Sequence, residues 1–138
     1  MNKRRLLKLA DLLDADAKNK KGVQFDLTTW AGKVSKRGEL PEVSCGTQAC
    51  AMGLAVISGA FKRAGLTALY DKNYIGLGYA VIPKFGRKAG YAAAESLFDI
   101  SAQQARHLFS PAHYENRKGA KAEMAVAQRI RQLVATTR

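Results

Sequence analysis

The sequence predicts a mainly α-helical α+β fold: a single compact helical domain over residues 1–138, built around a central helix, with a small β-hairpin in residues 66–85. Three observations predict it. Apolar residues recur at helical spacing in the segments that open, centre and close the chain. Residues 66–85 instead show short apolar runs around a polar turn and a glycine-rich link. A chain of 138 residues, 47% hydrophobic and 25% charged, is long enough for one hydrophobic core without disulfide staples.

The first helix covers residues 2–18, where Leu6, Leu9, Ala10, Leu13 and Ala17 fall on one stripe and Leu7 and Leu12 widen it. Its charge order opposes the helix dipole, with cations at the amino end and aspartates later, so tertiary packing must hold it. Phe25–Trp30 is expected to form a short helical turn capped by Asp26 or Thr28, with Trp30 plugging the core. Residues 32–46, punctuated by glycine and proline, are expected to be a loop.

The central helix is expected to start at Thr47 or just after. Cys50, Leu54, Ile57, Phe61 and Ala64 then form its buried stripe, Gly53 and Gly59 allow another helix to approach, and Gly65 ends it. Leu66–Tyr70 and Tyr79–Ile82 are the two strands of the hairpin. A helix over Ala89–Phe98, a turn at Asp99–Ile100 and a capping box at Ser101–Gln104 follow, the last opening a short helix that Pro111 stops. The closing helix runs from about Ala120 to Ala135, with Ala122, Val126, Ile130, Leu133 and Val134 inward.

Charge is the strongest bulk signal. Twenty-three Lys and Arg against eleven Asp and Glu give +12, and cations outnumber acids in every third of the chain, so the folded surface itself should attract polyanions. The apolar run Ala49–Ala60 is too short to span a bilayer. The basic start imitates a signal peptide, but Asp11, Asp14 and Asp16 cut its apolar region short. The expected setting is cytoplasmic, with both cysteines reduced and no membrane partner.

The segment Cys45-Gly46-Thr47-Gln48-Ala49-Cys50-Ala51-Met52-Gly53 concentrates the chemistry. A thiolate near a helix amino end is a candidate nucleophile, which makes Cys45 and Cys50 weak catalytic candidates with His107 as the base; periodicity places Cys50 in the core instead. Spacings of C-x4-C and H-x5-H fit tetrahedral zinc poorly, so no metal and no cofactor is expected. Gly46 and Thr47 at a helix start could cradle an anion on free amide groups, or merely form a turn and a cap. Tyr70, Tyr74, Tyr79, Phe85 and Tyr91 alternate with Lys72, Lys84, Arg87 and Lys88, a mixture suited to stacking bases while neutralising phosphates, or simply to a hairpin with aromatics inside and lysines outside. Residues 89–109 fit an ordinary helical hairpin better than a DNA-reading helix-turn-helix, since Asp99 and Glu95 stand where that motif needs small residues.

The combination of Cys45-Gly-Thr-x-x-Cys50-Ala-x-Gly53 with Phe25-Asp26, Trp30, Leu97-Phe98-x-Ile100-Ser101 and Leu108-Phe109-x-Pro111-x-x-Tyr114 resembles a group of small bacterial and bacteriophage proteins of unknown function. The resemblance implies a phage or prophage setting and does not extend to the histidines. By analogy with small phage proteins, it suggests binding of a host component. The expected function is therefore a non-enzymatic basic binding protein for a phosphate-bearing partner, nucleic acid or nucleotide, through Gly46, Thr47, Lys72, Tyr74, Lys84, Arg87 and Lys88. The alternatives are an inhibitor or virion component that docks an acidic protein surface, and a thiol-dependent enzyme using Cys45 or Cys50.

Overall fold

In the computed structural model, which describes residues 1–19, 22–37, 40–42, 46–71 and 79–138, the chain opens with helix α1 (Lys3–Ala17). Asn2 caps it by accepting the Arg5 backbone N–H at 3.0 Å, and Leu6, Leu9, Ala10 and Leu13 are buried, as the stripe predicts. Helix α1 lies along the last helix, α5 (Gly119–Thr136), which buries Ala122, Val126, Ala127 and Ile130. The guanidinium of Arg131 bridges Asp11 and Asp14, so α5 supplies the cation that the late aspartates of α1 lack on their own helix.

Between these helices the chain builds more sheet than expected. The strands are β1 (Gln24–Phe25), β2 (Ala31–Arg37), β3 (Leu40–Glu42), β4 (Gln48–Ala49), β5 (Leu66–Asp71), β6 (Tyr79–Phe85) and β7 (Lys88–Ala89). Their order is β1-β4-β2-β6-β5, with β3 paired to β2 and β7 to β6; β1 and β4 run parallel and every other pairing is antiparallel. The β5–β6 hairpin forms over the expected residues, in register from Leu66↔Phe85 to Asp71↔Ala80, but as part of a mixed sheet. The fold is α+β.

Two expectations are corrected here. Residues 32–46 do not form only a loop: β2 and β3 occupy much of that stretch, and β2 joins β6 through a bulge at Lys33, whose φ of 56° is left-handed. Phe25–Trp30 is not a helical turn either. Phe25 is in β1, Asp26 makes a bridge to Lys118, and the Asp26 carboxylate accepts the Thr28 backbone N–H and hydroxyl at 2.9 and 2.6 Å. Trp30 is half-buried and packs edge-on against Tyr91, with ring centroids 4.9 Å apart.

Helix α2 (Ala51–Ser58) begins four residues after Thr47 and ends at Gly59, which is left-handed with φ 72°, instead of running to Gly65. It packs on α1 and on the sheet, whereas α5 packs on α1, on β1 and on α4 (Ala102–Phe109), so α2 is not sandwiched between the first and last helices. Helix α3 (Tyr91–Phe98) and α4 meet at Asp99, which adopts the left-handed conformation that glycine usually takes. Ser101 and Gln104 form the expected capping box, each side chain accepting the other's backbone N–H at 3.1 and 3.0 Å. Ser101→Ala should lower stability by about 1 kcal/mol in urea denaturation, the usual cost of losing a cap.

Candidate anion-binding surface

The Cys45–Gly53 segment is structural where it is described. Gly46 has φ 86° and turns the chain into β4; Thr47 is almost fully buried and donates its hydroxyl to the Lys33 carbonyl at 2.9 Å. Neither residue stands at a helix amino end, so the expected anion cradle at Gly46 and Thr47 is not assembled. A strand follows Thr47 because β4 pairs with both β1 and β2. Cys50 is the cap residue of α2, with its N–H donated to the Trp30 carbonyl at 3.1 Å. Its side chain is 2% exposed, and burial pushes the thiol up to about 11, so it stays protonated at neutral pH and is a core residue. Cys45, Lys72 and Tyr74 lie outside the described residues.

Of the other expected partner residues, Lys84, Arg87 and Lys88 come together at the β6–β7 turn, where Gly86 has φ 61° and Arg87 and Lys88 are exposed. The aromatic half of that expectation fares less well. Tyr70, Phe85 and Tyr91 pack partly buried against the core, and Tyr79 meets Tyr70 edge-on at 5.6 Å. They are held by the fold and do not stand out as a stacking platform.

A stronger concentration of charge arises where α1 meets the turn after α2. Asn2, Arg4, Arg5, Lys8, Phe61 and Arg63 line an open cleft of about 340–350 Å³ together with Ala60 and Ala64, and no acidic residue is among its lining. Arg5 donates to the Leu97 carbonyl at 2.9 Å, and Lys8 donates to the Ala60 carbonyl at 2.9 Å while lying over the Phe61 ring. Those contacts hold two cations in place, and Arg4 and Arg63 are exposed beside them. The cleft sits at the amino end of α1, whose dipole adds positive potential and whose first turn contains no acid. The turn that carries Arg63 leads through Gly65, which faces the Phe85 ring, into the β5–β6 register at Leu66↔Phe85. The cleft and the Lys84–Lys88 turn thus belong to the same end of the sheet.

No protein family, curated protein or solved structure matches this chain.

Two further clusters stand apart from the cleft. His107, on α4, is exposed and lies 5.9 Å from His113, ring centroid to centroid; Arg129 donates to both of their carbonyls at 3.1 and 2.9 Å and stacks on Tyr114. Partial burial, Arg129 and His113 all lower the His107 pKa, so its ring favours the neutral form. The buried Cys50 thiol leaves this imidazole no described cysteine to activate. On the far side of α1, Asp16, Asp26 and Glu123 line a cavity of about 340 Å³. Sequence reasoning missed Glu123. The available signal was that it shares the i, i+4, i+7 stripe of Ala127 and Ile130 on α5, an acid where an apolar residue is the norm.

Proposed function

We propose that the protein is a non-enzymatic binding protein for a phosphate-bearing partner, nucleic acid or nucleotide. Arg4, Arg5, Lys8 and Arg63 form its primary contact, and Lys84, Arg87 and Lys88 extend it. The observation that carries this reading is the cleft itself: four cations line it without an acidic residue, at the positive end of a 15-residue helix. Such an arrangement is electrostatically costly when empty and favourable once an anion enters. A phage or prophage origin and action in the bacterial cytoplasm belong to the same proposal and rest on the resemblance of the motifs. Among the described residues no helix is long and apolar enough to cross a membrane.

Fluorescence anisotropy with labelled single-stranded DNA, RNA and ATP tests it. Four phosphate contacts to a single strand imply that affinity falls by roughly 50-fold between 50 and 200 mM salt. The double variant Arg4→Glu/Arg63→Glu should bind at least about tenfold more weakly at fixed salt, and Arg87→Ala/Lys88→Ala should reduce the salt slope by a smaller amount. Absence of salt-dependent association with all three probes rules the reading out. Undiminished binding by the Arg4/Arg63 variant moves the contact away from the cleft.

A further inference from the structure

We propose that the cavity between α1, β1 and α5 is a binding pocket for an ammonium or guanidinium group, with Glu123 as its buried anchor. The inference is independent of the anion-binding reading, because it concerns the opposite chemistry on a different part of α1. On a chain of net charge +12, three carboxyl groups line this one cavity: Asp16 from α1, Asp26 just after β1, and Glu123 from α5. Glu123 is 2% exposed, and its Oε2 has no hydrogen-bond partner. Asp16 uses Oδ1 to accept the Val23 N–H at 3.3 Å, and its buried Oδ2 is equally without a partner. Buried acceptors in native interiors are nearly always matched by a donor, so two empty acceptors in one cavity wall mark the place of a donor-rich group.

Charge and spacing narrow the class of ligand. No three His, Cys, Asp or Glu among the described residues are grouped so as to hold a metal ion. A cavity of about 340 Å³ with acids on separate walls suits a polyatomic cation with several N–H donors. The rim already accommodates an ammonium: Lys118 Nζ lies 3.7 Å from Asp26 Oδ2, with its own side chain mostly exposed. A ligand would add its cation deeper, between Asp16 and Glu123, with the amide side chains of Gln24 and Gln48 nearby. Because burial and the neighbouring Asp16 keep Glu123 protonated at neutral pH, binding is written as Glu123–COOH plus R–NH3⁺ giving the carboxylate–ammonium pair and one proton released to buffer.

Isothermal titration of the full chain with agmatine at pH 7, in two buffers of different ionisation enthalpy, tests this. The expected result is one saturable site whose heats differ between the buffers by the release of up to one proton. Glu123→Gln, isosteric with the neutral acid, should weaken binding by on the order of tenfold or more and abolish the proton release, with its fold checked by melting. A parallel titration with a capped Gly-Arg-Gly peptide distinguishes the sources of the cation: binding of agmatine alone indicates a free amine, and binding of both indicates a side chain of a partner protein. Lack of a saturable heat with wild type, or equal affinity and equal proton release in Glu123→Gln, overturns the proposal. So does a crystal soaked in agmatine that shows an ordered water only beside Glu123.

Discussion

Replacing Gly53 with alanine is expected to destabilise the protein by about 3 kcal/mol or more, or to prevent folding outright. A Cβ at this position would fall 1.7 Å from the Trp30 carbonyl oxygen, 2.7 Å from its carbonyl carbon and 3.1 Å from the Ala49 Cβ. The obstruction is backbone, so no side-chain rotation relieves it. The Trp30 carbonyl is itself fixed by the Cys50 N–H at 3.1 Å, in the pairing of β2 with β4 through Ala31↔Ala49. Relief would require α2 to lift away from the sheet, exposing Ala51, Met52 and Leu54, which are buried. Gly59→Ala is the matched control. Its Cβ would meet nothing within 4 Å, so only the left-handed φ of 72° opposes it, at a cost of about 1 kcal/mol. Urea denaturation of the two variants should therefore separate widely; similar midpoints would mean that α2 is not seated on Trp30 as described.

The same contact explains why part of this fold was legible in the sequence and part was not. Helices α1, α3, α4 and α5 were readable because their determinants are local: apolar stripes, a capping box and a proline that stops α4. The boundaries of α2 were not. Thr47 is a better cap residue than Cys50 by local chemistry, yet the pairing of two-residue strands β1 and β4 pulls Thr47–Ala49 into the sheet and delays the helix to Ala51. That pairing brings residues 24–25 against 48–49, and no local propensity encodes it. Strand β2 was hidden for a related reason: its bulge at Lys33 breaks the alternation that would announce a strand.

The sites divide in the same way. Lys84, Arg87 and Lys88 were found because they are close in sequence and on one hairpin turn. The Arg4–Arg63 cleft was not, because it joins the first helix to a turn nearly sixty residues later, and each half reads alone as a solvated cationic helix end. The Gly46–Thr47 cradle failed because it assumed a helix start where the chain is still extended.

Raising the pH from 6 to 8 is expected to cost the wild-type protein roughly 2–3 kcal/mol through Glu123 alone, in equilibrium denaturation at constant ionic strength. Burial, the adjacent Asp16 and the charge of Asp14 push Glu123 up to about 9, against 4.5 in the unfolded chain. The sign follows from proton counting. Between those values the folded state holds a proton that the unfolded state has lost, so stability falls as pH rises. The contribution is fully present below about 4.5 and is lost by the time the pH passes about 9. The slope approaches about 1.4 kcal/mol per pH unit, and because the pair titrates together, Asp16 shares in it. Glu123→Gln keeps the shape and the neutral state of the buried acid but has no proton to lose. Its stability should lie within about 1 kcal/mol of wild type at pH 5 and exceed it by pH 9, so the two curves cross. Lys118 faces the same cavity but is paired with Asp26, whose own pKa is lowered by Thr28 and Lys118, and it remains charged across this range. Parallel curves for wild type and Glu123→Gln between pH 5 and 9 would show that Glu123 is ionised in the folded protein, and with it that the α1–α5 cavity is open to water instead of holding a protonated acid.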